Sequence, residues 1–145
     1  YNDRHWSFVF ITWNEINGKV IELGENNRGK YTSYLKDDAI KVPEHIEEVW
    51  FRTKVRKETY SYEYSFDGVE FTEIPVRLDA AILSDDYVLQ SYGGFFTGAF
   101  VGLAAVDYSG YDASAEFYHF DYQELGDTLV ASDAYSWEAS ELRGY

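Results

Sequence analysis

The chain is 145 residues long and carries 12 Lys and Arg against 26 Asp and Glu, a formal net charge of −14. One domain fits that length, and the excess of acid excludes a phosphate-tracking nucleic-acid interface and speaks against docking on an anionic membrane surface. With 46% hydrophobic residues, among them 14 Tyr, 10 Phe and 4 Trp, the chain has material for an ordered core, so global disorder is excluded too.

Along the chain, residues 5–13 alternate, with Trp6, Phe8, Phe10 and Thr12 on one face and Ser7, Val9, Ile11 and Trp13 on the other. Both faces are largely apolar, which predicts a strand buried on both sides. Residues 14–18 form a turn cluster, 19–23 a second strand and 24–29 a polar loop. Short strands follow at 30–35 and 39–42, divided by Asp37-Asp38 and ended by Pro43. Residues 48–56 and 59–66 are the cleanest strands, and the second sets Tyr60, Tyr62, Tyr64 and Phe66 on one face. Asp67-Gly68 is a strong hairpin signal, with a return strand expected over 69–74. Residues 78–83 suggest one helical turn, with Asp79 placed to cap it. Residues 85–96 read as a loop containing Gly93-Gly94, 98–106 as a buried strand and 115–124 as the last strand. Residues 126–145 are polar and acidic and read as a tail. Strands about every ten residues with turn signals between them predict an all-β, antiparallel two-sheet sandwich or barrel.

The longest apolar run, residues 98–106, is strand-sized and far short of the roughly 20 residues that cross a bilayer. Cysteine is absent, so disulfides, thiolate zinc sites and thiol nucleophiles are excluded, though the compartment stays undetermined. No Asn-x-Ser/Thr sequon supports secretion. Methionine is also absent, even at position 1, which reads as a processed product or a piece of a longer chain.

Three stretches together resemble a known module. The first is Tyr62-Glu63-Tyr64-Ser65-Phe66-Asp67-Gly68, with Phe71 and Ile74. The second is Leu78-Asp79-Ala80-Ala81-Ile82-Leu83-Ser84-Asp85-Asp86-Tyr87. The third runs from Phe95-Phe96-Thr97-Gly98-Ala99-Phe100-Val101-Gly102-Leu103-Ala104 through Asp107 and Ser109-Gly110 to Ala115-Glu116-Phe117 and Phe120-Asp121-Tyr122. In this order and spacing, with Phe10-Ile11-Thr12-Trp13-Asn14-Glu15 before them, they resemble the C-terminal concanavalin A-like domain of family 43 glycoside hydrolases, the β-xylosidases and α-L-arabinofuranosidases. The resemblance covers residues 1–124 and divides the chain into a sandwich over 1–125 and a tail over 126–145. It implies that strands of the module, and the catalytic five-bladed propeller, lie upstream of this chain. Val106, Tyr118 and His119 depart from the family pattern, so polar contacts made there are not carried over.

What the resemblance implies for function is an accessory role in xylan or hemicellulose breakdown, with the propeller and a xylo- or arabino-oligosaccharide as partners. The catalytic acids belong to the propeller, so no catalytic residue is expected here. The family's aromatic loop matches Phe95 and Phe96, with Tyr92 beside them, and would wall one side of the active-site pocket. From the residues alone, Phe95 and Phe96 equally well begin a core strand. The stripe Tyr60, Tyr62, Tyr64 also admits two readings: a core face whose hydroxyls need partners, or a glycan platform of a stand-alone carbohydrate-binding module. No cofactor is expected. Asp85, Asp86, Asp107 and Asp112 leave calcium open, without a fixed-spacing loop, and His5, His45 and His119 lack zinc spacing. His119 is expected to be a satisfied, half-buried ring.

Overall fold

The computed structural model describes residues 1–36, 38–92, 98–110 and 114–124. It holds two compact units, Tyr1–Val101 and Gly102–Tyr145. In the first, seven strands run in chain order: β1 (His5–Asn14), β2 (Gly18–Asn27), β3 (Lys30–Ser33), β4 (Ile40–Lys41), β5 (Trp50–Arg56), β6 (Thr59–Ser65) and β7 (Thr72–Asp79). A 3-10 turn (Ala80–Leu83) and one helix, α1 (Asp85–Tyr92), follow. β1, β2 and β3 form one antiparallel sheet, with β4 also paired to β2, and β5, β6 and β7 form the other.

Turn chemistry sets the connections. The Asn14 side chain accepts from the N–H groups of Ile16 and Asn17, closing the β1–β2 turn. Arg28 and Gly29, both at positive φ, turn β2 into β3. After β6, Asp67 accepts from the N–H of Val69 and of Glu70, and Gly68 takes φ 73° while its N–H donates to Ser65. These backbone donors hold the Asp67 carboxyl below the usual carboxylate range. The connection is longer than the expected two-residue hairpin, so the return strand starts at Thr72 rather than residue 69.

The core lies where the two sheets face each other. Ile21 and Leu23 of β2 meet Tyr60 and Tyr62 of β6 and Ile74 and Leu78 of β7, with Leu35 and Val42 closing the edge. Burial of tyrosines needs acceptors. Tyr60 donates to Glu25 Oε2, Tyr34 donates to Glu25 Oε1, and Tyr62 donates to Ser7. Burial pushes all three phenols up, Tyr34 to about 12, so they remain protonated donors.

The N-terminus folds back on this frame. Asn2 and His5 form an antiparallel bridge, and the Asn2 side-chain oxygen meets His5 Nδ1 at 3.1 Å. His5 is fully buried edge-on to Tyr87 of α1, and its Nε2 has no hydrogen-bond partner. The Tyr87 ring also carries the Arg28 guanidinium at 4.5 Å, and its hydroxyl donates to Asn27. Tyr1 donates to Asp85 at the start of α1.

Besides the late start of β7, other elements differ from the sequence expectation, among them residues 24–27, which extend β2 instead of forming a polar loop. β1 is not buried on both sides: Phe8 is exposed on the outer face, and on the face where Ser7 and Val9 meet the core Ile11 and Trp13 are exposed as well. Residues 85–92 form α1 rather than a loop. Ser84 caps it through the N–H of Tyr87, and Asp85 and Asp86 sit in the first turn, where the helix dipole favours acid. Residues 98–106 and 115–124 are not strands, and their large apolar side chains are exposed. Strand propensity reports packing against a neighbouring strand, and no such neighbour pairs with them among the described residues. The Asp79 cap is as expected, its side chain accepting from the N–H of Ala81.

Two measurements probe this frame. Tyr60→Phe leaves Glu25 with one donor fewer in a dry interface and is expected to cost about 1–3 kcal/mol of stability, read from the denaturant midpoint at constant slope. His5 is held neutral: burial lowers its pKa, and Arg28 lowers it further. The unfolded state therefore binds the proton first. Stability is fully present above the unfolded value of about 6.5 and falls as pH drops below it. A melting-temperature series from pH 7.5 to 5.5 should decline, and His5→Gln should flatten that decline.

Candidate functional site

The residues singled out from sequence fall in three places. Tyr92 is the last residue of α1, whereas Phe95 and Phe96 lie outside the described residues. What the structure shows is the root of that segment. Asp85 Oδ1 accepts from Tyr1 at 2.6 Å and from the N–H of Gly98 at 3.2 Å, so one carboxylate ties the start of α1 to the residue that follows position 97. His5, Asn27 and Arg28 pin Tyr87 on the same helix.

The tyrosine stripe faces inward. Tyr60 and Tyr62 are 3% and 6% exposed and Tyr64 is half-buried. The cause is register: Tyr60, Tyr62 and Tyr64 sit opposite Val55, Thr53 and Phe51 of β5 on the face that meets Ile21 and Leu23.

Acidic residues are dispersed. Glu63, on the outer face of β6, is clamped by Arg52 and Lys54. Burial alone would raise its pKa, but the two cations outweigh that and hold it low. Asp107 accepts from Ser109 in a local turn, and Asp112 lies outside the described residues. No group of three or more metal-ligating side chains converges among the described residues. His119 is exposed rather than half-buried, with Nε2 2.7 Å from Asp121, and its segment pairs with no strand among the described residues.

The surface that the sequence reading missed is the outer face of the first sheet. Trp6 stacks on Phe8 at 4.5 Å, Phe8 meets Phe10 at 4.8 Å, and Tyr31 leans on Trp6 at 5.8 Å. Tyr31 lies over Gly24, where an added Cβ would stand 2.8 Å from its ring, so only glycine admits this close approach. Beyond Phe10 the face opens into a hollow of about 540 Å³. The signal was present in the alternation of β1. Burial on both sides was the wrong inference from it, because a sheet at the surface of a sandwich has only one core face.

Residues 1–123 match the family described as the beta xylosidase C-terminal Concanavalin A-like domain. The chain is 42% identical over 125 residues to a protein of Escherichia coli (strain K12), covering 86% of this chain and 23% of that one. It is 36% identical over 124 residues to the beta-xylosidase of Bacillus subtilis (strain 168), with the same two coverages. The chain thus spans about a quarter of the length of these relatives. The crystal structure of a xylan beta-1,4-xylosidase from Bacillus halodurans C-125 shares the fold, with TM-score 0.55 and 23% identity over 60% of this chain and 16% of that one. The two facing antiparallel sheets and the match over residues 1–123 make this chain a member of the C-terminal concanavalin A-like domain family of family 43 β-xylosidases.

Proposed function

We propose that this chain is the accessory C-terminal domain of a family 43 glycosidase that acts in xylan breakdown, packed on the catalytic propeller and lending the segment with Tyr92, Phe95 and Phe96 to the active-site pocket. The observation that carries the reading is the match to a C-terminal domain over residues 1–123 in a chain about a quarter as long as its relatives. The substrate of the parent enzyme would be a xylo- or arabino-oligosaccharide.

Two structural facts support it. First, each buried carboxylate has a structural partner. Glu22 accepts from Ser33, Glu25 from two tyrosines, and Glu63 is held by two cations. Glu22 and Glu25 sit on opposite faces of β2, so they cannot flank one glycosidic bond as an acid and its partner carboxylate must. Second, the Asp85 bonds to Tyr1 and Gly98 fix both ends of the segment that would reach the propeller, and an aromatic wall works only from a fixed root. The exposed apolar side chains of the second unit, among them Leu103, Val106, Phe117 and Phe120, are the kind of surface a partner domain covers.

In the intact enzyme, Phe95→Ala or Phe96→Ala should lower kcat/KM about tenfold or more with the melting temperature unchanged, the loss expected when substrate contacts go but the fold stays. Wild-type kinetics in both variants would overturn the pocket role. The 145-residue chain alone should give no turnover of an aryl xyloside; turnover abolished by changing one of its own carboxylates would overturn the accessory assignment.

A further inference from the structure

We propose that the outer face of the first sheet is a binding site for a neutral glycan chain, separate from the pocket that residues 95 and 96 would serve. The site is the hollow at the Trp13 end of β1, and the aromatic ladder Trp6, Phe8, Phe10 leads into it.

Its lining joins two chemistries on one face. Phe10, Asn14, Glu22, Tyr31 and Ser33 all point the same way by strand register, since Phe10 stands opposite Glu22, Asn14 opposite Gly18, Ser33 opposite Gly24 and Tyr31 opposite Asn26. Trp13 closes the end with its side chain 74% exposed, and Tyr31 is half exposed. Flat aromatic faces open to water match the apolar C–H face of a pyranose ring. The Tyr31 ring lies close over Gly24, where the absence of a side chain leaves room for it at the hollow.

The polar side of the hollow is suited to hydroxyl donors. Glu22 is nine-tenths buried, and its Oε2 accepts from Ser33 at 3.0 Å. Its Oε1 has no donor among the described residues and is not sealed from solvent. An acceptor held at the floor of an aromatic hollow calls for an O–H or N–H from a ligand. A net charge of −14 and the carboxylate acceptor work against an anionic ligand, Lys36 is the cation in the lining beside Glu22, and the exposed rings suit an uncharged sugar chain. The open shape favours a polymer lying across the face over a compact molecule, which needs far deeper enclosure.

The test is a titration of the full 145-residue chain with xylohexaose, cellohexaose and mannohexaose, read by tryptophan fluorescence and by amide chemical shifts, with oligogalacturonate as the charged control. Saturable binding of at least one neutral hexasaccharide is expected, with shifts on the β1, β2 and β3 residues that line the hollow. Trp13→Ala and Tyr31→Ala should each weaken it at least tenfold, and Trp13→Phe should restore most of the loss. Both side chains stand out from the sheet, and circular dichroism checks that the fold is kept; should a variant unfold, the wild-type shift map still places or misplaces the site. No saturable binding of any neutral glycan, shifts elsewhere, equal binding of oligogalacturonate, or unchanged affinity in both alanine variants would overturn the proposal. Binding of cellohexaose or mannohexaose without xylohexaose would support the hollow and count against xylan as the parent substrate, so the two readings fail separately.

Discussion

A carboxylate inside the sandwich governs the rest of the fold. Glu25 stands on the core face of β2, where an unpaired charge would be intolerable, and it is met by a phenol from each side: Tyr34 just after β3, and Tyr60 on β6 of the facing sheet. Burial raises both phenols, so each keeps its proton and donates. Apolar contact between two sheets is non-directional and tolerates sliding; a carboxylate needing two donors does not. A one-residue slip of β2 would turn Glu25 outward, bring Val20, Glu22 and Gly24 inward, and take the carboxylate away from Tyr60 and Tyr34. The Tyr62–Ser7 bond makes the same demand of β1. Register is therefore fixed by polar groups in an interface held together by apolar ones.

This explains which parts of the fold were legible in the sequence. Alternation in β1 and β6, the Asn14 turn, the Asp67-Gly68 turn and the Asp79 cap are local, each decided within a few residues, and the sequence displays them. The acceptors for Tyr60 and Tyr62 are not local: they lie 35 and 55 residues away, on strands whose pairing must be known first. The stripe is therefore open between core and platform in the sequence alone. α1 was missed for another reason. Ser84-Asp85-Asp86 is a helix-start signal, but Gly93-Gly94 immediately after suggested a loop, and eight residues are too few to show a helical period. Residues 98–106 failed in the opposite direction, being strand-like in composition without a strand beside them.

The two outer faces then divide sharply. On the second sheet, Arg52 and Lys54 close on Glu63, Arg77 on Glu73, and the Arg52 guanidinium sits 3.6 Å from the Phe71 ring centroid. Arg52 and Lys54 are paired there, and together with Arg56 they put three cations on β5, an edge of the sheet among the described residues. Charge on an edge discourages pairing with another chain. The first sheet has no such guard. β1 is paired only with β2 among the described residues, runs for 10 residues, and apart from His5, which is kept neutral, has no ionisable side chain. Its rings are stacked on one another rather than covered.

The same strand also bears on the other end of the molecule. His5 opens β1 and Trp13 nearly closes it, so a single rigid element carries the packing under α1 at one end and the aromatic hollow at the other. At the His5 end, the Asn2 bridge and the Tyr1–Asp85 bond hold the helix that leads toward residues 95 and 96. At the Trp13 end, Gly24 and Glu22 of β2 set Tyr31 and an open acceptor beside the rings. A glycan contact at the hollow and a pocket contact near α1 would thus be held at a fixed separation by one strand of the sheet. That separation is a property of backbone pairing between β1 and β2, not of any loop, and would survive changes in the surface residues that decide which sugar is bound.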